Sequence, residues 1–114
     1  MDNSNILISV VLPVFNAEQY LHDAVQSILN QTHKNLELII INDGSADSSL
    51  SIIEEFMKTD ERVVLINREN KGLVYSLNEG IKKSKGKYIA RMDADDICLD
   101  ERFEKQINLL ETDD

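Results

Sequence analysis

The residues best able to do chemistry are the three acids of Asp93-Ala94-Asp95-Asp96. They follow Tyr88-Ile89-Ala90-Arg91-Met92, an apolar stretch that reads as a strand, so three carboxylates arrive at one strand end. In extended backbone, residues two apart point the same way, which sets Asp93 beside Asp95. Two carboxylates about 4 Å apart repel by roughly 4 kcal/mol at an effective dielectric near 20. Such a pair persists when a divalent cation neutralises it, when one acid keeps its proton, or when both face open water. Hard oxygen ligands suit Mg2+ or Mn2+, and those ions commonly accompany phosphates. A solvated acidic turn capping the next helix accounts for the same residues without a metal.

Asp43 stands before Gly44 at the end of the apolar run Leu36-Glu37-Leu38-Ile39-Ile40-Ile41. A carboxylate there can accept a hydrogen bond from a ligand N–H. Uracil, thymine and guanine each offer an imino N–H, whereas cytosine presents an acceptor at that position. The competing explanation is a plain Asp43-Gly44-Ser45 turn, bonded to its own backbone. Pro13 ends the first apolar run, fixes its own φ and lacks an N–H, leaving a backbone edge on which a planar base can lie. Phe15 could stack on that base or fill the core. Asn16 and Glu18 could touch a ligand, but a capping-box spacing (Asn16, Gln19) and a first-turn acid explain them structurally. Lys71, before Gly72, could bring an ammonium group near. His22 and His33 read as surface or helix-end residues, and Cys98 as a buried filler.

The elements that position these residues alternate. Four apolar, β-branched runs (Ile6–Leu12, Leu36–Ile41, Val63–Ile66, Tyr88–Met92) suit strands covered on both faces. Between them lie helical patterns. Tyr20, Leu21, Ala24, Val25, Ile28 and Leu29 mark the first, and Leu50, Ile53, Phe56 and Met57 the second, with Asp47 as its N-cap. Leu73, Leu77 and Ile81 mark the third. Phe103, Ile107 and Leu110 mark the fourth, capped by Asp100. The order β-α-β-α-β-α-β-α predicts an α/β fold: an open, mostly parallel sheet with helices on both faces. Ligands of such sheets bind outside the carboxyl ends of the strands, where the polar and acidic groups collect here.

The 114 residues suffice for one domain. A net charge of -9 argues against a nucleic-acid partner. Neither G-x-G-x-x-G nor G-x-x-x-x-G-K-[ST] occurs, so any phosphate must be held through a metal and not a glycine cradle. One cysteine excludes an intrachain disulfide and fits a reducing compartment. No apolar run approaches the roughly 18 residues of a membrane span, and no signal core is visible at the N-terminus. The chain ends acidic, at Glu111-Thr112-Asp113-Asp114, in a helix-like stretch, which suggests a piece of a longer protein.

Four separated motifs agree in order and spacing with one family. Ser9-Val-Val-Leu-Pro-Val-Phe-Asn16, Leu36-Glu-Leu-Ile-Ile-Ile-Asn-Asp-Gly-Ser45, Asn70-Lys-Gly72 with Asn78-Glu-Gly80, and Gly86-Lys-Tyr-Ile-Ala-Arg-Met-Asp-Ala-Asp-Asp96 resemble the family-two inverting glycosyltransferases of GT-A fold. The match runs from about Ile6 to Leu110 and looks most like bacterial members that build surface polysaccharide or lipopolysaccharide. The resemblance implies the Rossmann-like, nucleotide-binding half of that fold, truncated before the acceptor-binding half. It implies a nucleoside-diphosphate sugar donor, a divalent cation (Mn2+ or Mg2+), and a saccharide or lipid-linked acceptor. Pro13, Phe15, Asn16 and Glu18 would line the nucleoside pocket. Asp43 would hydrogen-bond the base, with Lys71 beside it. Asp93 would face the ribose, and Asp95 would bind the metal. The catalytic base would come from chain beyond this part. The place of action would be cytoplasmic or peripheral at the inner face of the membrane. Asn42 departs from the family, standing where many members have an aspartate. Two rival classes remain at this point: a receiver-type, magnesium-binding signalling domain, and a noncatalytic nucleotide-binding module.

Overall fold

The structure is a computed structural model and describes residues 2–112, so Asp113 and Asp114 of the acidic end lie outside it. Strands β1 (Ile8–Val14), β2 (Leu36–Asp43), β3 (Val63–Arg68) and β4 (Tyr88–Arg91) alternate with helices α1 (Leu21–Leu29), α2 (Ser49–Thr59), α3 (Leu73–Lys83) and α4 (Arg102–Thr112). The strands form one parallel sheet in the order β3-β2-β1-β4. The expected α/β architecture holds, with helices on both faces.

Strand alternation divides the core. Ile8, Val10, Leu12 and Val14 of β1 and Leu36, Leu38 and Ile40 of β2 face α1, α2 and α4. Val11, Ile39 and Ile41 face the other way, against Leu77 of α3. Among the described residues, one face therefore carries three helices and the other carries one. Both β1 and β2 are buried on both sides, which is why they read as unbroken apolar runs.

Several local expectations are corrected. Pro13 lies inside β1, opposite Ile41, and does not end it. The Val11 carbonyl accepts from the Met92 N–H, so the main-chain groups of Val11 and Pro13 both point toward β4. Pairing with β4 stops at Val11–Arg91, so the N–H that proline lacks falls beyond the neighbouring strand. Helix α1 starts at Leu21 with Tyr20 as its N-cap, so Asn16 caps nothing there. Asp47 lies one residue before the α2 N-cap, Ser48, and its carboxylate accepts the Ser49 N–H at 2.9 Å. In α3 the buried positions are Ser76 and Gly80, while Leu73 and Ile81 are about half exposed. A Cβ at Gly80 would stand 2.4 Å from Val11 Cγ1, so the helix approaches the sheet through its smallest residues. Leu110 of α4 faces outward, leaving Phe103 and Ile107 as the buried pair. His33 is buried, and its Nε2 lies 2.7 Å from the Ile6 carbonyl. Cys98 is buried as expected, and burial pushes its thiol pKa up.

Arg62 clasps the edge of the sheet opposite the strands' carboxyl ends. It donates to the Lys34 and Leu29 carbonyls and forks onto Asp60, with Nη2 to Oδ2 at 2.8 Å. The Arg62 hydrogen bonds hold the Asp60 carboxyl below its usual value, against the opposing effect of burial.

Two outcomes follow from this packing. Gly80→Val should lower the unfolding free energy by about 2 kcal/mol in urea titration, because the new methyls overpack Val11 and Ile41. Asp60→Asn should cost about 1 to 2 kcal/mol near neutral pH. A depressed folded-state pKa stabilises above the unfolded value and is lost on acidification, so that difference should shrink as pH falls below about 4.

Candidate functional site

The carboxyl ends of all four strands open on one edge of the sheet. β2 and β4 lie on either side of β1, so the acid that ends β2 and the acids that follow β4 share this edge.

Asp43 is the last residue of β2. Alternation from Ile39 and Ile41 turns it toward α3. Its side chain is only 6% exposed. Oδ1 accepts from Arg68 Nη2 at 3.0 Å and from the Lys71 N–H at 2.8 Å. Oδ2 accepts from the Gly72 N–H at 3.0 Å and from Asn70 Nδ2 at 3.3 Å. The carboxylate thus organises the segment from β3 to α3, and the local-turn explanation for it does not hold. Gly44, next in the chain, has φ +75 and packs its α-carbon against the Asn70 backbone, where a Cβ would come within 2.6 Å of Asn70 N.

Arg68 was not singled out from the sequence, although it is as central as Asp43. It ends β3 and is the register partner of Asp43. Nη2 also reaches Ser76 Oγ, and Nη1 pairs with Glu79. The guanidinium lies 4.8 Å from the centre of the Tyr75 ring, and the Lys71 ammonium lies 4.7 Å from that same ring. The available signal was an acid and a base as the final residues of two strands adjacent in the sheet.

Below Asp43 lies a cleft of about 240 Å³, with Pro13, Phe15, Asp43, Asn70, Gly72 and Leu73 in its lining. Phe15 stands at its mouth, 54% exposed. Asn16 and Glu18 are placed differently. Asn16, with φ 49, receives the Ala46 N–H on Oδ1 and donates its own N–H to Ser45 Oγ. Glu18 receives the Ser48 N–H and donates its N–H to Asp47 Oδ2. Both residues bind the loop after β1 to the loop after β2. Lys71 reaches Asp43 through its backbone N–H.

The acids after β4 are not extended. The Asp96 N–H closes a turn onto the Asp93 carbonyl at 3.0 Å. The same-side argument for Asp93 and Asp95 therefore does not apply. The turn instead gathers Asp93, Asp95 and Asp96, all exposed, with carboxylate oxygens within 4.8 Å of one another. Arg91 Nη2 lies 3.3 Å from Asp93 Oδ1. Ligand oxygens on one Mg2+ or Mn2+ are at most about 4.2 Å apart, so small rotations of these exposed side chains would fit a hard cation. Another cleft, of about 250 Å³, lies at the opposite ends of the strands beside Asn3, His33 and Asn108.

The family model described as Glycosyl transferase family 2 matches residues 9–114. The chain belongs to this family. An uncharacterized glycosyltransferase of Haemophilus influenzae is 50% identical over 109 residues, covering 95% of this chain and 34% of the relative. A Bacillus subtilis relative, TuaG, whose name places it in teichuronic acid biosynthesis, is 36% identical over 111 residues, covering 96% of this chain and 44% of its own. Among solved structures, the Pyrobaculum calidifontis mannosyltransferase PcManGT, in complex with GDP-Man and Mn2+, aligns with TM-score 0.70 at 21% identity, covering 79% of this chain and 28% of that one. The fold is the GT-A type that the sequence motifs implied. The chain spans between a third and a half of the length of these two relatives. Membership of the glycosyl transferase family decides against the receiver-type alternative. Among the described residues, no helix is long and apolar enough to cross a membrane.

Arg68→Met keeps the aliphatic stem but leaves Asp43 one donor short and Glu79 unpaired. It should lower the unfolding free energy by about 3 kcal/mol in urea titration, because breaking a buried pair strands a charge. Glu79→Gln should cost about 1 kcal/mol in the same assay, its carboxylate being a third exposed.

Proposed function

We propose that this chain is the donor-binding portion of an inverting glycosyltransferase that takes a nucleoside-diphosphate sugar. The observation that carries the reading is the sharing of one sheet edge by the cleft under Asp43 and the acidic turn at Asp93–Asp96. A base in the cleft would lie along Pro13 and Phe15, with its imino N–H toward Asp43 and with Lys71, Asn16 and Glu18 shaping the rim. Asp93 would meet the ribose. Asp95 would hold Mn2+ or Mg2+, which when bound supplies Lewis-acid stabilisation of the leaving diphosphate. The PcManGT complex with GDP-Man and Mn2+ supports this choice of donor and metal class.

Transfer then requires an acceptor hydroxyl to attack the anomeric carbon from the side opposite the diphosphate, with inversion. A carboxylate general base should take the hydroxyl proton. That base and the acceptor site would come from chain beyond this portion, so the 114 residues alone should bind but not turn over. The acceptor would be a saccharide or a lipid-linked sugar in cell-surface polysaccharide synthesis, a role supported by the name of TuaG. Such an enzyme would work in the cytoplasm or at the inner face of the membrane.

Calorimetry with UDP or GDP, with and without Mn2+, tests the reading. Binding should depend on Mn2+, and Asp95→Asn should reduce it at least tenfold while the melting curve stays unchanged. Equal binding by wild type and Asp95→Asn would remove Asp95 from the metal role.

A further inference from the structure

Asp43 has no free acceptor position. A carboxylate offers about four lone-pair sites, and four donors already occupy them: Arg68 Nη2, the Lys71 and Gly72 backbone N–H groups, and Asn70 Nδ2. A ligand N–H can reach this carboxylate only if one donor leaves.

The four donors are not equally able to leave. Arg68 is held by Glu79, Ser76 and the Tyr75 ring. The Lys71 and Gly72 amides belong to the backbone and would take the loop with them. Asn70 Nδ2 makes the longest of the four bonds, at 3.3 Å, from an exposed side chain, and it also donates to the Asp43 main-chain carbonyl at 3.1 Å. Its backbone is pinned against Gly44, so the amide can turn off Oδ2 while the main chain and the bond to the Asp43 carbonyl stay. Asn70 also lines the cleft, together with Asp43.

We infer that Asn70 is a specificity-determining residue whose amide stands in for the nucleobase imino N–H on Asp43 Oδ2 and is displaced when a base binds. This rests on the reading of the cleft as a nucleoside site. A uracil, thymine or guanine ring replaces the Asn70 bond with its own, so it gains only the difference between the two. Cytosine brings an acceptor and cannot make the exchange. Asn70 therefore lowers the affinity for imino-bearing bases while leaving their order of preference intact.

The test is titration calorimetry of the full chain with UDP, GDP and CDP in the presence of Mn2+. In Asn70→Ala the ratio of the CDP to the UDP dissociation constant should rise about threefold to tenfold, the worth of one hydrogen bond no longer given up. The CDP to GDP ratio should rise likewise. Asn70→Ser, whose hydroxyl ends short of Oδ2, should give the same shift and guards against a folding defect in the alanine variant. Equal weakening of all three nucleotides would make Asn70 a loop brace and overturn the inference, with the nucleoside site standing. Absence of binding by the wild-type chain would overturn the site reading itself, and the inference with it.

Discussion

The buried carboxylate of Asp43 is the constraint around which the ligand edge is built. An ionised acid at 6% exposure is tolerated only with its lone pairs filled, and here a guanidinium, an amide side chain and two backbone N–H groups fill them. Each donor belongs to the passage from β3 into α3. The charge that ends β2 thereby fixes where α3 begins, and with it one wall of the cleft.

The other wall follows from the sheet. Helix α3 is the single helix on its face among the described residues, and Gly80 and Ser76 let it lie close to Val11 and Ile41. That close approach brings Ser76 Oγ to Arg68 and so couples the hydrophobic contact to the polar network. Packing and electrostatics at this edge are one arrangement and not two. The acidic turn after β4 stands apart from it, open to water and held by its own short turn.

The architecture was legible because it rests on patterns of many residues. Unbroken apolar runs announced β1 and β2 as strands buried on both sides, while β3 and β4, read the same way, lie at the sheet edges and are partly exposed; the alternation of the runs with helical spacings announced a parallel sheet. The misreadings came where one side chain had two plausible employers. Asn16 matched a cap by spacing, but a positive φ and the Ser45–Ala46 backbone claimed it. Leu73 and Ile81 matched an apolar stripe, yet contact distance favoured Ser76 and Gly80. Arg68 escaped notice because its partners, Asp43, Ser76 and Glu79, lie up to 25 positions away in the chain and meet only through strand order.

The rim formed by the loops after β1 and β2 has a reciprocal bonding pattern. Asn16 gives its amide proton to Ser45 and receives that of Ala46, while Glu18 gives to Asp47 and receives from Ser48. Each side chain serves the main chain of the opposite loop. Because each donor is main chain, no change of side chain on the other loop can make up for the loss of one of these four acceptors, and the amide is left to water. The shape of the cleft's mouth thus rests on four side chains that each answer to a backbone and not to one another.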